Sequence, residues 1–425
     1  MSNQITNNQV CVIIGASHAG VNCAFALRKE GWEGRILLFD ADSTLPYHRP
    51  PLSKTYLTSE DGIEKNVLKS AESYVKSNIE LHLGTKVSSI NRTKNNITLT
   101  DEKVQPYDKL IIATGARPLI PPIPGISSAK HIFPMRTAMD AINIRNTFHQ
   151  IKEKRVAVIG GGYIGLETAA SLKKLGAEVT ILEREERILA RVTAPEMSDF
   201  FYGLHAQNGV KIFTKKNVIS IETILEQNKV ICEDGSTFLA DMIIVGVGIR
   251  VNQELAMEAG LEIKNLPTGQ AGGIKVNAAT QTSDKNIYAI GDCTCHHNLH
   301  YDSYVRLESV QNAVDQAKIA AAAICGKNPT YDSIPWFWSD QYDVKLQMVG
   351  LSNGYDEILT RMEKEKDNCF SIWYFKGEQL LAVDAINFAK AYVLGTKFIK
   401  GGQKINKLKL VDPTVEFKPA NLLAE

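Results

Sequence analysis

One pattern occurs twice in this chain, and it restricts the fold more than any other feature. Val10-Cys11-Val12-Ile13-Ile14 is a short apolar run ending in Gly15-Ala16-Ser17-His18-Ala19-Gly20, and Val156-Ala157-Val158-Ile159 ends in Gly160-Gly161-Gly162-Tyr163-Ile164-Gly165. Apolar runs without alternation read as strands buried on both faces, as in a parallel sheet. Each Gly-rich stretch opens a helical pattern. The first runs to about Glu30 with Gly31 as C-cap, and the second to about Leu175 with Gly176 in the same role. A second strand follows each time, Ile36 to Phe39 ending at Asp40 and Val179 to Leu182 ending at Glu183. Two βαβ units, each with an acid closing its second strand, predict an α/β protein with two Rossmann-like dinucleotide-binding domains.

Composition agrees and removes other classes. The chain has 425 residues, 44% hydrophobic and 22% charged, with 48 Lys+Arg against 47 Asp+Glu. That is ordinary for a globular protein of two or three domains, and it lacks the lopsided charge of a general nucleic-acid or membrane-surface binder. The apolar stretch Met242 to Ile249 is strand-length, well short of the ~20 residues a membrane span needs. Met1 to Gln9 is polar without Lys or Arg, unlike a secretory signal, and seven irregularly spaced cysteines make no disulfide framework. The expectation is a reduced, cytoplasmic protein.

Between the repeats, Asn96 to Thr100 and Lys109 to Ala113 read as a β-hairpin feeding Thr114-Gly115, and the Pro-rich Arg117 to Pro124 as a crossover. The second half repeats this with Lys229 to Cys232, the Asp234-Gly235 turn and Asp241 to Gly248. Asn286 to Gly291 reads as a strand, followed by Asp292 and an Ala-rich helix to about Cys325. From Trp336 the texture turns aromatic and alternating, as in Phe370 to Phe375 and Leu380 to Val383, which suggests an antiparallel sheet in a C-terminal α+β domain. The expected boundaries are 1–115 with 245–330, an inserted 116–244, and 331–425.

Gly160, Gly162 and Gly165 complete a GxGxxG. The first glycine permits the tight turn, the second lets the backbone approach a pyrophosphate, and the third lets helix pack on sheet. The helix N-terminus offers N–H groups and partial positive charge to the phosphates. Glu183, 23 positions after Gly160, is placed to accept hydrogen bonds from both ribose hydroxyls and to repel a 2′-phosphate, which favours NADH. Arg184 and Arg187 pull the other way. In the first repeat Gly15 and Gly20 hold the outer positions, Ser17 replaces the middle glycine, and Asp40 lies 25 positions on. Two such units suit a flavoprotein that oxidises NADH, one for each cofactor. His18 either touches pyrophosphate or flavin or is a turn residue facing a strand. Cys293-Thr294-Cys295-His296-His297 offers zinc-type ligands, but as one compact cluster without a second half, so no metal is expected.

Further motifs occur in order: Leu45-Pro46-Tyr47-His48-Arg49-Pro50-Pro51-Leu52-Ser53-Lys54, Ala113-Thr114-Gly115, Gly160 to Glu167, Val245 to Gly248, Gly291-Asp292-Cys293, Val305-Arg306-Leu307-Glu308-Ser309-Val310 and Trp336-Phe337-Trp338-Ser339-Asp340-Gln341. Over nearly its whole length the chain resembles the oxygenase-coupled NADH-dependent ferredoxin reductases. The resemblance implies a glutathione-reductase-type fold with an FAD domain, an NADH domain and a C-terminal domain. It implies that Ala19 lines the FAD pyrophosphate turn with Gly15, Ser17 and Gly20, and that Asp40 and Val87 serve the adenosine. Ala113, Thr114, Gly115, Arg49 and Arg136 would contact FAD. Asp292 would bind the ribityl chain, Val310 would meet the flavin at a helix start, and Lys54 and Trp338 would lie at the ring. Glu167 would lie near the nicotinamide, with Tyr163, Ile164, Val247 and Gly248 completing the NADH site.

These roles are chemically coherent. A reduced flavin is often anionic, and Lys54 and the helix N-terminus near Val310 would stabilise it. Disulfide reductases of this fold carry a CxxxxC pair where this chain has Pro50-Pro51-Leu52-Ser53-Lys54, so electrons should leave the flavin directly. Lys390 to Lys418 carries seven lysines against Asp412 and Glu416, which reads either as a docking face for an acidic ferredoxin or as a solvated surface. Arg306 and the surroundings of Trp338 are further implied exits. The expected activity is NADH:ferredoxin reduction serving a haem-thiolate monooxygenase or a ring-hydroxylating dioxygenase, in a monomer or homodimer. A rubredoxin reductase, an NADH oxidase and a redox-signalling flavoprotein related to apoptosis-inducing factors are the alternatives.

Overall fold

The computed structural model describes residues 8–266, 272–363 and 368–424, so of the polar stretch Met1–Gln9 only the last two residues are described. Two compact units emerge. The first comprises Met1–His48, Gly62–Arg117 and Arg250–Pro335, the second Arg49–Asp61, Pro118–Ile249 and Trp336–Glu425.

The first unit is built on a parallel sheet ordered Ile287–Ala289, Lys109–Ile112, Val10–Ile14, Arg35–Phe39, Ile79–His82. Its middle strand is buried on both faces, and Ile13 lies beside Leu38 on one side and Ile111 on the other. Helix His18–Glu30 ends at Gly31, which takes the left-handed C-cap expected of it. Helix Val310–Ile324 turns Ala313, Ala317, Ala320 and Ala321 into the same core, where short side chains permit close approach to Ala24 and Leu27.

The strand pairings differ from the sequence reading in one respect, repeated in both halves. Asn96–Leu99 pairs with Val87–Asn91 and Val104–Pro106, while Lys109–Ile112 joins the parallel sheet. Gln227–Cys232 likewise pairs with Val218–Ile224 and Thr237–Ala240, while Met242–Val245 enters the second parallel sheet. Burial explains the division. Asn96–Leu99 and Gln227–Cys232 alternate and suit a half-exposed antiparallel sheet, whereas Met242–Val245 is buried at every position. The helix expected after Asp292 also starts later. Thr294–Asn298 and Ser303–Val305 first form an antiparallel pair, and the helix begins only past its N-cap, Ser309.

The second unit contains a parallel sheet ordered Lys211–Phe213, Glu178–Leu182, Arg155–Ile159, Met242–Val245, Ile132–Pro134. Helix Tyr163–Lys174 springs from its central strand, and Gly176 has the left-handed conformation just beyond it. The same unit holds an antiparallel sheet ordered Trp336–Gln341, Val344–Gly350, Gln379–Ile386, Phe370–Lys376, Glu357–Met362, as the alternating C-terminal pattern predicted. Helix Ala389–Gly401 lies on it, with Gly395 allowing close approach at Val383. Among the described residues no helix is long and apolar enough to cross a membrane.

Candidate dinucleotide sites and a buried lysine–glutamate pair

The two Gly-rich turns are near copies. Gly15 and Gly160 have φ of +104° and +105°, a conformation that L side chains rarely adopt. A Cβ on Gly15 would strike the Ala113 carbonyl, and one on Gly160 would come 2.5 Å from the Gly246 carbonyl oxygen. Each turn is therefore pressed against the next strand's C-terminal end. Gly20 and Gly165 face the carbonyls of Gly15 and Gly160, so helix and turn touch backbone to backbone. Gly162 differs: its φ is −81°, and an added Cβ would meet nothing within 4 Å. As the N-cap it has no side chain to satisfy the first-turn N–H groups, and no acid occupies that turn. Open space before a helix N-terminus fits a pyrophosphate.

The strand-terminal acids repeat as well. Asp40 Oδ2 accepts the Ala16 N–H at 2.5 Å and Oδ1 accepts that of Asp42 at 2.8 Å. Glu183 Oε2 accepts the Gly161 N–H at 2.6 Å and Oε1 that of Glu185 at 2.8 Å. Each carboxylate is thus fixed at its turn with lone pairs left for ribose hydroxyls. The two nearby arginines have other hydrogen-bond partners. Arg184 pairs with Glu185 at 2.8 Å, and Arg187 donates to Ser198 Oγ at 2.6 Å and the Ala190 carbonyl at 3.0 Å.

In the first unit the structure brings Gly15, Ala113 and Thr114 together, and sets Gly291, beside Asp292, against Ala19. Val87 opens the strand Val87–Asn91 and is buried, and Val310 opens its helix. His18 is buried, its ring edge-on to His48 at 5.5 Å between centroids. Sequence reasoning missed two supports here. Asn252 exchanges hydrogen bonds with Thr114, accepting from Thr114 Oγ1 at 2.7 Å through its carbonyl and donating to the Thr114 carbonyl at 2.8 Å, and it donates to the Gly115 carbonyl at 3.0 Å. Gln316 accepts the Gly291 N–H at 2.7 Å and the Thr294 hydroxyl at 3.0 Å. Neither residue lies in a recognisable motif. Arg306 pairs with Glu308 at 2.7 Å. Cys293 and Cys295 are buried free thiols, both pushed up to about 11 by burial, and no metal-holding cluster occurs among the described residues.

Arg49, Lys54, Arg136, Glu167 and Trp338 belong to the second unit. Arg49 donates to the Arg136 carbonyl at 2.7 Å. Lys54 and Glu167 form an ion pair at 2.6 Å with side chains 15% and 1% exposed, so the desolvated carboxylate needs full partnering. It has that partnering: Ser53 Oγ and Ser339 Oγ each donate to it at 2.6 Å. Lys54 also donates to the Pro50 carbonyl at 3.2 Å. Trp338 precedes Ser339 and stacks in a tilted series with Trp336 and Phe337, whose ring lies 5.2 Å from Tyr163. Tyr163 donates to Met348 Sδ at 2.9 Å, whereas Ile164 is exposed. Gly160 meets Val247, and Gly248 accepts from the Leu119 N–H at 3.0 Å.

Residues 9–317 match the family described as pyridine nucleotide-disulphide oxidoreductase, and residues 336–421 match the reductase C-terminal family. The chain is 44% identical over 385 residues to putidaredoxin reductase of Pseudomonas putida, covering 89% of each chain. It is 37% identical over 380 residues to a rubredoxin-NAD(+) reductase of Pseudomonas putida, covering 89% of this chain and 96% of that one. The crystal structure of the covalent putidaredoxin reductase–putidaredoxin complex superposes with a TM-score of 0.91 at 41% identity, over 97% of this chain and 98% of that one. With two dinucleotide-type turns, a strand-terminal acid at each, and an antiparallel C-terminal sheet, the chain belongs to the pyridine nucleotide-disulphide oxidoreductase family and carries its reductase C-terminal domain.

Proposed function

We propose that this protein is an FAD-dependent NADH:ferredoxin oxidoreductase, passing electrons from NADH to a small iron–sulfur ferredoxin that serves an oxygenase. The observation that carries the reading is the pair of near-identical Gly-rich turns, each closed by an acid bonded to its own backbone. Two dinucleotides in one chain suit hydride passage from one to the other.

The first repeat holds FAD through Gly15, Ser17, Ala19, Gly20 and Asp40, with Val87, Ala113, Thr114, Gly115, Arg49, Arg136, Asp292 and Val310 as further contacts. The second holds NADH through Gly160, Gly162, Tyr163, Ile164, Gly165, Glu183, Val247 and Gly248. Lys54, Glu167 and Trp338 attend the reacting rings. FAD, when bound, accepts a hydride and releases its electrons one at a time. The chain's task is to orient and to exclude: Glu167 holds the Lys54 ammonium at 2.6 Å, and that fixed charge favours an anionic ring. We assign the domains as 1–115 with 245–330, 116–244 and 331–425, and place the protein in the cytoplasm as a monomer or homodimer. NADH is preferred because Glu183, fixed by the Gly161 and Glu185 N–H groups, would repel a 2′-phosphate.

The carrier docks on the lysines of the C-terminal domain. Lys407 is paired with Glu357 and Lys418 with Glu416, while Lys390, Lys397, Lys400, Lys404 and Lys409 are exposed and face an acidic partner best. Anaerobic rapid mixing of the FAD-loaded protein with NADH, and then with a two-iron two-sulfur ferredoxin, tests the whole reading. Fast flavin bleaching followed by fast ferredoxin reduction is expected, slowed in a Lys397→Glu/Lys400→Glu variant at low salt. Transfer only to rubredoxin, or oxygen consumption without any carrier, would refute it.

A further inference from the structure

Glu167 is also the terminus of a longer polar chain that none of the roles above uses. Its Oε1 accepts from Ser339 Oγ, whose oxygen in turn accepts from Gln341 Nε2 at 3.2 Å. Gln341 Oε1 lies 2.8 Å from His205 Nε2, and His205 Nδ1 lies 3.4 Å from the Tyr342 hydroxyl. Ser339, Gln341 and His205 are buried to within 1%.

The donors all point one way. Because the Gln341 amide nitrogen faces Ser339, its oxygen is the acceptor for His205. The network therefore assigns the imidazole proton to Nε2 and leaves Nδ1 to accept from Tyr342. Burial holds His205 below the ordinary histidine range, which suits a neutral ring. Ser339 and Gln341 are two apart on the strand Trp336–Gln341, so they share a face opposite that of Trp338. His205 comes from a separate helix, Pro195–Gln207.

Resting on the role given above to Lys54 and Glu167, we propose that His205 and Gln341 are positioning residues: they lock Ser339 onto Glu167 and so hold the Lys54 ammonium in one place. Without Gln341, the Ser339 hydroxyl can rotate off Oε1. Glu167 then gains a second rotamer, and Lys54 moves with it on its flexible four-carbon stem. Gln341 reaches Glu167 only by way of Ser339, and His205 by way of Gln341; both act through Ser339.

The test uses the FAD-loaded full chain and anaerobic rapid mixing with NADH, which separates the flavin reduction rate from the NADH dissociation constant. Gln341→Leu and His205→Leu should each slow reduction about fivefold, the equivalent of one neutral hydrogen bond of ~1 kcal/mol, with NADH affinity within about twofold. His205→Gln should restore the rate, because its amide N–H can replace Nε2–H. Gln341→Leu should cause no further loss in a Glu167→Gln background. Should His205→Leu fail to fold, Gln341→Leu and the double variant carry the test. A slow Glu167→Gln beside a normal Gln341→Leu overturns the proposal and leaves the Lys54–Glu167 role standing. Additive losses, or weakened NADH binding, would show a structural role only and overturn it too. An unaffected Glu167→Gln overturns the role of the pair itself, and the proposal with it.

Discussion

Gly162 and Gly160 stand two residues apart, and the structure predicts opposite consequences for filling them. Gly162 has φ −81° and ψ 177°, which valine adopts freely, and its Cβ would point into open space. Gly162→Val should therefore fold, losing only about 1 kcal/mol for a poorer N-cap. What it removes is the approach of a pyrophosphate to the helix N-terminus. Two charge-assisted N–H bonds at ~1.5–3 kcal/mol each amount to about 3–6 kcal/mol, or roughly 10²–10⁴-fold in NADH affinity. Gly160→Ala meets a different obstacle. At φ +105° an L residue is strained by ~1–3 kcal/mol before its Cβ meets the Gly246 carbonyl. That variant should melt several degrees lower. Both variants would be followed by thermal melting, by FAD content after purification, and by calorimetric titration with NADH. Gly162→Val should keep its melting temperature within a few degrees, keep its flavin and lose NADH. NADH affinity within threefold of the parent would mean that the space beyond Gly162 is not the pyrophosphate seat. A melting loss matching that of Gly160→Ala would mean the space is not open at all.

Glu183→Ala should lower the ratio of kcat/KM for NADH over NADPH by about tenfold or more, since the carboxylate that rejects a 2′-phosphate is gone; an unchanged ratio removes Glu183 from that role. Lys54→Met leaves Glu167 buried without its cation and should destabilise by ~3 kcal/mol in chemical denaturation, whereas adding Glu167→Gln should recover most of that loss. Asp384 is buried beneath Thr193 and Tyr374, which donate to it at 2.7 and 2.5 Å, and burial raises its carboxyl to about 6. The folded form binds the proton more tightly than the unfolded one, so this group's stabilisation is present below about pH 4 and is lost as pH rises through about 6. Asp384→Asn should accordingly gain on the parent by ~2–3 kcal/mol between pH 4 and pH 7 in urea titrations, and a pH-independent difference would contradict the shift.

Much of the fold is legible in the chain because its strongest signals are local. An apolar run followed by a turn that only glycine can make and an amphipathic helix carries its own geometry, and it is written twice, at Val10–Glu30 and Arg155–Lys174. The acids at Asp40 and Glu183 are legible for the same reason, since a strand end places them beside the turn they bond. Pairing between distant segments is not local. The partners of Asn96–Leu99 and Gln227–Cys232 were decided by which strand could bury both faces, a contest settled only when the sheet assembles. Asn252 and Gln316 lie in no motif, and tertiary structure alone brings them to the turns at Thr114 and Gly291. The Lys54–Glu167 pair spans 113 residues; Ser53 adjoins Lys54, but Ser339 with Gln341 and then His205 come from two further segments. A buried carboxylate must collect donors wherever the packed chain supplies them, so that part of the site exists only in the folded protein.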